Sequence, residues 1–531
     1  MYKRDRPIVY CGAVGAHLAV MMLLSTAGAL AQTVSITPYL SVTETLTNNV
    51  RLGSVDTQSE QTTAISPGVR MSIQNARLKT NFDYSLSRVS YAHSTSADHN
   101  QNALNTSGSF EAIEKWAFVD FGGTISQQTI SAFGTQSTST TAINSNQTEV
   151  SNYRISPYVQ GRFGNAVDYT ARLGRTLTSS DGNNAGFNTA STNSTVTLRN
   201  ASAFKNMGWT ADMSRQQAGY SAGRSAESDA MSLGLTYTLN PHVTLSANRR
   251  RESNNYTSAD PQSDISSHIG LNLSWDSLKI AVNQQSQASS SISLNWLPSD
   301  RTTLSASSGK RLFGNTHSVN GSHRTARTVW TFSDSKDTSI TPSQNNAGSL
   351  GNAYDLFYSQ FAAIEPDPTA RAQMVTNYLQ TNGILPNTTV VNNFLTSAVS
   401  LQHRQDLSMA LMGVHNTIVF LVTRTENSRL DTVSQSIDSL TSANMVTQQG
   451  FSINYTNRLT PRHSLGIVLS RQNTSGDIPA QDNTLKSLNV NVSSKVGKNT
   501  STTLGVRRVM SYNLTNPYAE TALTGNLNVQ F

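Results

Sequence analysis

The chain ends in a segment whose residues alternate between apolar and polar. Counting back from Phe531, one face carries Val529, Leu527 and Leu523, and the opposite face carries Gln, Asn and Thr. Successive side chains of a β-strand point to opposite faces, so this strand has one apolar and one polar side. A large aromatic residue next to a free carboxylate fits a membrane interface, where the ring meets headgroups and the carboxylate meets water. The segment predicts a membrane strand, with Leu527, Val529 and Phe531 as its interface signature.

The same alternation recurs along nearly the whole chain. Apolar residues make up 37% of the sequence and charged residues 13%, and Ser, Thr, Asn and Gln fill the difference. Strands whose lipid-facing and lumen-facing positions alternate give this balance. Disorder is the alternative for so polar a chain, but the persistent two-residue period argues against it. No run reaches the ~18 consecutive apolar residues of a membrane helix. The predicted fold class is therefore all-β, a transmembrane antiparallel barrel.

Turn residues divide the chain into hairpins. The unit of strand, short turn and strand reads LGLTYTLNPHVTLSAN from Leu233, SISLNWLPSDRTTLSAS from Ser291 and SINYTNRLTPRHSLGIVLS from Ser452. Short connections alternate with long polar ones, which is typical of an up-and-down barrel with short periplasmic turns and long external loops. The segments add up to about 24 strands, in a range of roughly 20–26. An even number places both chain ends in the periplasm, and a barrel this wide has a water-filled or plugged lumen.

The longest external connection, predicted at 333–399, contains a short helical insertion. Asp367 and Pro368 form a helix start, with Asp as N-cap and Pro at the first helical position. Apolar residues then recur at helical spacing until Gly383, and a second, shorter helix is predicted just upstream. The insertion is interpreted as a lid, a lumen plug or a compact external loop that packs on itself, and the sequence does not choose among them.

Residues 1–31 have the pattern of a signal peptide. Basic residues at the start precede a short apolar stretch, and Ala29-Leu30-Ala31 supplies a small-x-small cleavage site. The mature barrel is therefore expected to comprise residues 32–531 and to lie in the bacterial outer membrane. The one cysteine, Cys11, falls in the removed segment, so no disulfide, metal or redox chemistry that depends on cysteine is expected.

Several segments of the chain resemble a known family. They are 36–71 (beginning ITPYLSVTETLTNNVRL), 310–330 (KRLFGNTHSVNGSHRTARTVW), 365–379 (EPDPTARAQMVTNYL) and 457–465 (NRLTPRHSL). In these segments the chain resembles outer-membrane β-barrel proteins associated with exopolysaccharide loci and the PEP-CTERM sorting system. The resemblance spans essentially the whole mature chain and is most specific in 310–330. It implies an outer-membrane barrel linked to polysaccharide export or surface assembly, and it transfers no catalytic residue.

The sequence offers no credible catalytic or metal site. No nucleophile elbow accompanies the abundant serines, and His403, His415 and His463 lie near strands or turns without a triad pattern. The ten histidines are scattered and show no paired metal-ligand spacing. The formal net charge of +7, about +5 after cleavage, is too small to indicate nucleic-acid binding. The prediction is that the protein is not an enzyme and uses no cofactor.

Basic residues cluster late in the strands that run outward. Leu245, Leu304 and Leu504 are taken as lipid-facing positions of their strands. Basic residues an odd number of positions away on the same strand then face the lumen, and these are Arg250, Arg311 and Arg507. Outward-facing members of the set would meet lipopolysaccharide phosphates. The inward-facing residues are hypothesised to line a vestibule and contact an anionic polysaccharide, because a cationic constriction focuses its field on polyanions.

The sequence thus predicts a passive conduit or surface-assembly component for exopolysaccharide export. A lumen lined by Ser, Thr, Asn and Gln would offer exchangeable hydrogen bonds to sugar hydroxyls. A structural or adhesion barrel with a closed lumen is the alternative, and a general porin is another. The expected partners are outer-membrane lipid and lipopolysaccharide, the barrel-assembly machinery, anionic exopolysaccharide and periplasmic export proteins, and no nucleic acid.

Overall fold

The computed structural model describes residues 33–531 except for 56, 182–186, 201–205, 221–224, 241–242, 256–261, 276–277, 286–289, 312–313, 340–352, 362–364, 366–367, 383–393 and 431–438. Side chains are not described for residues 262–275, 278–285 and 290–292, for Lys310 and Arg311, or for part of the helical insertion. The predicted signal peptide, 1–31, lies outside the described residues.

The described chain forms 24 strands and few helices. The strands are β1 (Thr33–Thr47), β2 (Glu60–Gln74), β3 (Leu78–Tyr91), β4 (His99–Ile113), β5 (Ala117–Thr129), β6 (Gln147–Phe163), β7 (Val167–Ser180), β8 (Thr189–Asn200), β9 (Met207–Tyr220), β10 (Ser225–Asn240), β11 (Val243–Asn254), β12 (Gln262–Trp275), β13 (Leu278–Gln285), β14 (Ser290–Ser299), β15 (Thr302–Arg311), β16 (Gly314–Arg324), β17 (Thr328–Ser339), β18 (Ser400–Met412), β19 (Asn416–Arg429), β20 (Met445–Arg458), β21 (His463–Ser475), β22 (Asn483–Lys495), β23 (Thr500–Asn513) and β24 (Tyr518–Gln530). The helices are α1 (Ala353–Phe361), α2 (Pro368–Asn382), α3 (Ser439–Ser442) and the 3-10 turns Thr95–Ala97 and Pro479–Gln481.

All 24 strands belong to one closed antiparallel sheet. Each strand pairs with the next along the chain, and β24 returns to β1 with Leu527 opposite Val42. At the seam the backbone amide of Phe531 donates a hydrogen bond to the carbonyl of Pro38 at 2.9 Å. Closure leaves no free strand edge, which is the requirement for strands in a hydrocarbon environment. The predicted all-β, up-and-down antiparallel barrel is confirmed.

The two ends of the barrel differ in their connections. One end, the short-turn end, has connections such as 75–77 and 413–415 and holds the first residue of β1 and the last residue of β24. The opposite end, the long-loop end, has connections such as 48–59, 130–146 and 340–399. Outer-membrane barrels carry short turns on the periplasmic side and longer loops outside. The long-loop end is therefore the external end.

The last strand shows how sequence parity becomes two faces. Leu523 and Phe531 are 51% and 71% exposed on the outer face, which also carries Leu527 and the half-buried Val529. On the inner face Ala522 is 1% exposed. A continuous band of exposed apolar side chains is unfavourable in water and favourable in lipid, so this outer face is in contact with lipid.

One predicted boundary is wrong. The long connection was predicted to begin at 333, but β17 continues to Ser339 and pairs with β18 throughout. The segment from Ser333 to Ser339 is polar and contains three charged residues, which in sequence is typical of a loop. Its strand conformation is possible because β18 supplies the ladder hydrogen bonds beyond the apolar band.

Among the helices of the described residues, none has the length and apolar character needed to cross a membrane.

We expect a charge on the outer face to destabilise the barrel according to its depth. Leu523 lies near the middle of β24, and Leu527 lies close to the short-turn end. Leu523→Arg should lower the free energy of unfolding by about 2–4 kcal/mol, and Leu527→Arg by roughly 1 kcal/mol or less. Urea unfolding in lipid vesicles measures both values, and equal losses would contradict the assignment of this face to lipid.

Candidate functional site in the barrel lumen

The helical insertion packs inside the barrel. Phe357 of α1 and Val375 of α2 form one apolar cluster with Val329, Ala410 and Val419 of the wall. Val329 is the second residue of β17, and Ala410 and Val419 flank the short turn 413–415. The insertion therefore leaves the long-loop end and reaches across the lumen to the short-turn end. It is not the compact external loop that was one of the three sequence interpretations.

The apolar spacing of α2 explains its contact. Ala372, Val375 and Leu379 recur three and four residues apart, which puts them on one helix face, and all three are buried. Tyr378 lies 4.7 Å from Phe357 and 5.4 Å from Phe361 between ring centroids. Fully burying each phenylalanine contributes about 1.5–3 kcal/mol. These rings hold the two helices together as one unit against the wall.

A polar contact also joins the helical unit to the wall at the periplasmic end. The side-chain amide of Gln74, the last residue of β2, donates to the side-chain oxygen of Gln373 in α2 at 2.7 Å. Burial raises the pKa of Tyr354 and Tyr378, so both hydroxyls remain neutral. The helical unit therefore brings no tyrosinate charge into the lumen at physiological pH.

The external mouth is covered by inward-folded loops. Ala132, Phe394, Ala398, Leu440 and Val446 pack together from three separate segments. Hydrogen bonds also join these segments. The backbone amide of residue 395 donates to the carbonyl of residue 129 at 3.1 Å. The amide of residue 132 also donates to the hydroxyl of residue 439 at 3.0 Å. Every residue from 394 to 400 is buried. We call this set of loops the cap.

The first external loop completes the cap beside β23. Leu52 is fully buried against Leu485, Val509 and Tyr518 of the inner wall. The Tyr518 hydroxyl donates to the backbone carbonyl of Gln136, which ties the wall to the 130–146 loop. The described residues therefore place the cap inside the external end of the barrel and the helical unit near the periplasmic end.

The wall beside the helical unit is polar. On β20, Ser452 and Asn454 are each 2% exposed and face inward, and α2 lies against β20 and β21. The Ser452 hydroxyl and both amide atoms of Asn454 have no hydrogen-bond partner among the described residues. Nearby, the hydroxyls of Ser470 and Ser487 pair at 2.7 Å. Covering polar groups without partners costs free energy, so this part of the contact is weaker than the apolar cluster.

The predicted lumen arginines carry paired charges. Arg507 faces inward and bonds to Glu520 at 2.7 Å, and both side chains are largely buried. Arg250 also faces inward, with Glu252 at 3.3 Å. Arg311 ends β15, and its side chain is outside the described residues. β11 and β23 stand on opposite sides of the 24-strand ring, so Arg250 and Arg507 do not form a single constriction.

Neither acidic partner of these arginines was predicted from the sequence, although one of the two could have been found from it. Glu252 is two residues after Arg250 and therefore shares its face, so strand parity was sufficient to find it. Glu520 lies on the neighbouring strand and also accepts a hydrogen bond from Thr47 at 2.9 Å. Only the register of β23 with β24 and of β24 with β1 brings these three residues together.

The fold and the occupied lumen define a class of protein, a transmembrane β-barrel of the bacterial outer membrane. Its outer wall is apolar, its inner wall is polar, and its own chain fills part of the interior. This agrees with the predicted localisation and with a lipid and lipopolysaccharide environment.

Comparison with known proteins adds distant likenesses. The siderophore receptor PirA from Pseudomonas aeruginosa is 10% identical with a TM-score of 0.38 over 94% of this chain and 81% of its own. The FrpB iron transporter from Neisseria meningitidis is 9% identical, with a TM-score of 0.43 and coverages of 93% and 82%. The ferric preacinetobactin receptor BauA from Acinetobacter baumannii is 10% identical, with a TM-score of 0.41 and coverages of 93% and 80%.

No family model and no curated protein matches the chain. The three solved proteins are named as receptors or an iron transporter. At such low similarity neither a ligand nor a mechanism transfers from them.

We expect Glu520→Gln to destabilise the barrel more than Glu252→Gln. Arg507 is 14% exposed, so removing the charge of Glu520 leaves a buried cation and should cost about 3–5 kcal/mol. The side chain of Arg250 is 36% exposed, so the matched Glu252 variant should cost about 1 kcal/mol or less. Urea unfolding in vesicles compares the two, and a larger loss for Glu252→Gln would refute the buried-pair assignment.

Proposed function

We propose that the protein is a gated conduit, or surface-assembly component, through which an exopolysaccharide crosses the outer membrane. The observation that carries the proposal is the position of α1 and α2 inside the lumen, on the inner wall near the periplasmic end. A 24-strand barrel is wide enough to leave an aqueous channel unless something fills it. An insertion that occupies such a lumen acts as a gate for the channel if it can move out of the lumen.

The contacts of the insertion support movement. Its covalent connections to the barrel wall are the ends of β17 and β18, both at the external end. Part of the wall beside α2 carries polar atoms of Ser452 and Asn454 that have no partner within the described part of the chain, and water or sugar hydroxyls would satisfy them once the helices withdrew. The barrel itself offers no energy source, so the conduit would be passive and a periplasmic export protein would deliver the polymer.

The family resemblance supports the same substrate class. The segments 310–330 and 365–379 resemble barrels of exopolysaccharide loci, and the second of these includes most of α2. Hydroxyl and amide side chains on the inner wall suit a neutral or anionic sugar chain, because they exchange hydrogen bonds without strong binding. The C-terminal signature of Leu527, Val529 and Phe531 would be read by the barrel-assembly machinery.

Conductance in planar bilayers tests the gate. We expect the mature wild-type barrel to conduct rarely and a variant that lacks 340–399 to conduct steadily, because the deletion removes the helical unit together with residues 394–399 of the cap. Val375→Asp should raise the open fraction as well, since it places a charge in the apolar cluster. The matched control is Val55→Asp, an 87% exposed loop position, which should behave as wild type.

Chemical restraint gives the reciprocal test. The mature chain has no cysteine, so Gln74→Cys with Gln373→Cys provides two unique thiols at the helix–wall contact. Joining them with a bifunctional thiol reagent should suppress the openings of the otherwise gated barrel. Openings that persist in the fully joined barrel would show that current flows by another route.

A second part of the proposal concerns anion contacts. We propose that Arg250, Arg311 and Arg507 meet the anionic groups of the polymer when the lumen is open. In the 340–399 deletion background, the triple alanine variant should lose anion preference and shift toward cations, because Glu252 and Glu520 keep their charges. Arg508→Ala is the matched control, since Arg508 is the outward-facing neighbour of Arg507. Unchanged ion preference in the triple variant would discard these contacts.

A structural or adhesion barrel with a permanently closed lumen is the second candidate. The cap favours it, because residues 394–400 are buried among several loops at the external mouth. The two candidates differ in one measurement. If the variant that lacks 340–399 shows no ion conductance while circular dichroism shows that it is folded, the structural role is supported. Steady conductance of this variant supports the conduit. A general porin would instead conduct in its wild-type form.

A further inference from the structure

Four ionisable residues converge on the outer wall of the barrel, away from the lumen. They come from four consecutive strands and are His317 on β16, Asp334 on β17, His403 on β18 and Glu426 on β19. All four share the face of the exposed apolar residues Phe332, Leu407 and Val422. We call them the histidine–carboxylate cluster. Sequence spacing could not reveal it, because the residues are up to 109 positions apart in number and meet only through strand register.

The ligand atoms of the cluster point at one another. The Nε2 atoms of His317 and His403 lie 2.9 and 3.0 Å from the same carboxylate oxygen, Oδ1 of Asp334. These three atoms all lie within 4.8 Å of one another. The second oxygen of Asp334 accepts a hydrogen bond from the side-chain amide of Gln405 at 3.0 Å, which fixes the orientation of the carboxylate.

His403 is held between two carboxylates. Its Nε2 faces Asp334, and its Nδ1 lies 3.3 Å from Oε2 of Glu426. A neutral imidazole has one N–H and therefore donates to only one of them. If Nδ1 donates to Glu426, Nε2 turns a lone pair toward Asp334, and a cation is required between the two atoms. A carboxylate behind the distal nitrogen of a histidine is the usual outer-shell arrangement of metal-ligating histidines.

We propose that the cluster binds a first-row divalent metal ion such as Zn²⁺ through Nε2 of His317, Nε2 of His403 and a carboxylate oxygen of Asp334. At metal–ligand distances of about 2.0–2.1 Å, tetrahedral ligand atoms are about 3.3 Å apart. The two observed nitrogen–oxygen distances need to grow by only a few tenths of an ångström. Glu426 is the outer-shell partner that orients His403.

The charges around the cluster select the kind of metal. Lys336 lies opposite both His317 and His403 on the same face, and Arg424 forms an ion pair with Glu426. These two cations balance the two carboxylates, so the site has no excess negative charge with which to attract Ca²⁺ or Mg²⁺. Two imidazole nitrogens instead favour Zn²⁺, Ni²⁺ or Cu²⁺.

The height of the cluster places the ion at the lipopolysaccharide layer. Phe332, Leu407 and Val422 lie two residues closer to the barrel middle than Asp334, Gln405 and Arg424, a separation of roughly 7 Å. The cluster therefore sits just outside the apolar band, near the external end. Three protein ligands leave at least one position open on this side, available to water or to an oxygen of the surrounding headgroups.

Zinc titration calorimetry of the mature barrel in detergent tests the proposal, with protein purified without a histidine tag. We expect one saturable Zn²⁺ per barrel and loss of this binding in His317→Ala with His403→Ala. Glu426→Gln should weaken the affinity about 10–100-fold. His323→Ala is the matched control, because His323 lies on the same face of β16 but at the other end of the strand, and it should leave the binding unchanged.

Two further measurements keep the outcome decisive. Circular dichroism must show that each variant is folded, and His403→Gln replaces the double variant if that one is not. Co²⁺ in place of Zn²⁺ should give visible absorption bands in wild type and His323→Ala but not without His403. Absence of saturable Zn²⁺ binding to the folded wild type, or equal binding after loss of both histidines, would overturn the proposal and leave a proton-held hydrogen-bond cluster.

Discussion

The pairing of β1 with β24 is the contact on which the rest of this structure depends. A strand in hydrocarbon cannot leave its amides and carbonyls without partners, and only a closed sheet supplies partners to every strand. The seam is made by chain ends that are almost the full sequence apart, with Phe531 bonded to Pro38. Once the ring is closed, alternate side chains must face either lipid or the interior, so the polarity of both walls follows from closure.

Closure at this width creates a second requirement. Side chains fill the interior of small barrels, but the wall of a 24-strand barrel cannot fill its own lumen. Here segments of the longest connections occupy part of it. The apolar rings of Phe357 and Phe361 find burial against Val329 and Val419, where water would otherwise enter. The lumen is thus a contact surface within the protein, and its function depends on whether that contact opens.

Ion pairs form on both the inner and the outer wall of the barrel. Inward-facing Arg507 pairs with buried Glu520, and outward-facing Arg424 pairs with Glu426. An unpaired charge would be costly beneath the cap, where Arg507 and Glu520 are buried. The half-exposed Arg424 instead lies beyond the apolar band, and its pairing with Glu426 contributes less. The histidine–carboxylate cluster differs because two imidazoles converge on one oxygen of Asp334, which leaves room for a cation other than a proton.

The sequence alone determined the strand class, the two polarities and the up-and-down order, though not the end of β17, because each depends on residue period and turn chemistry within a few positions of the chain. It also located the helix that begins at Pro368. It did not determine where that helix lies, which carboxylate faces Arg507, or that His317, Asp334 and His403 meet. Those facts depend on register between distant strands and on the space left inside the ring. Only tertiary structure decides them, since no local pattern encodes a distance across the barrel.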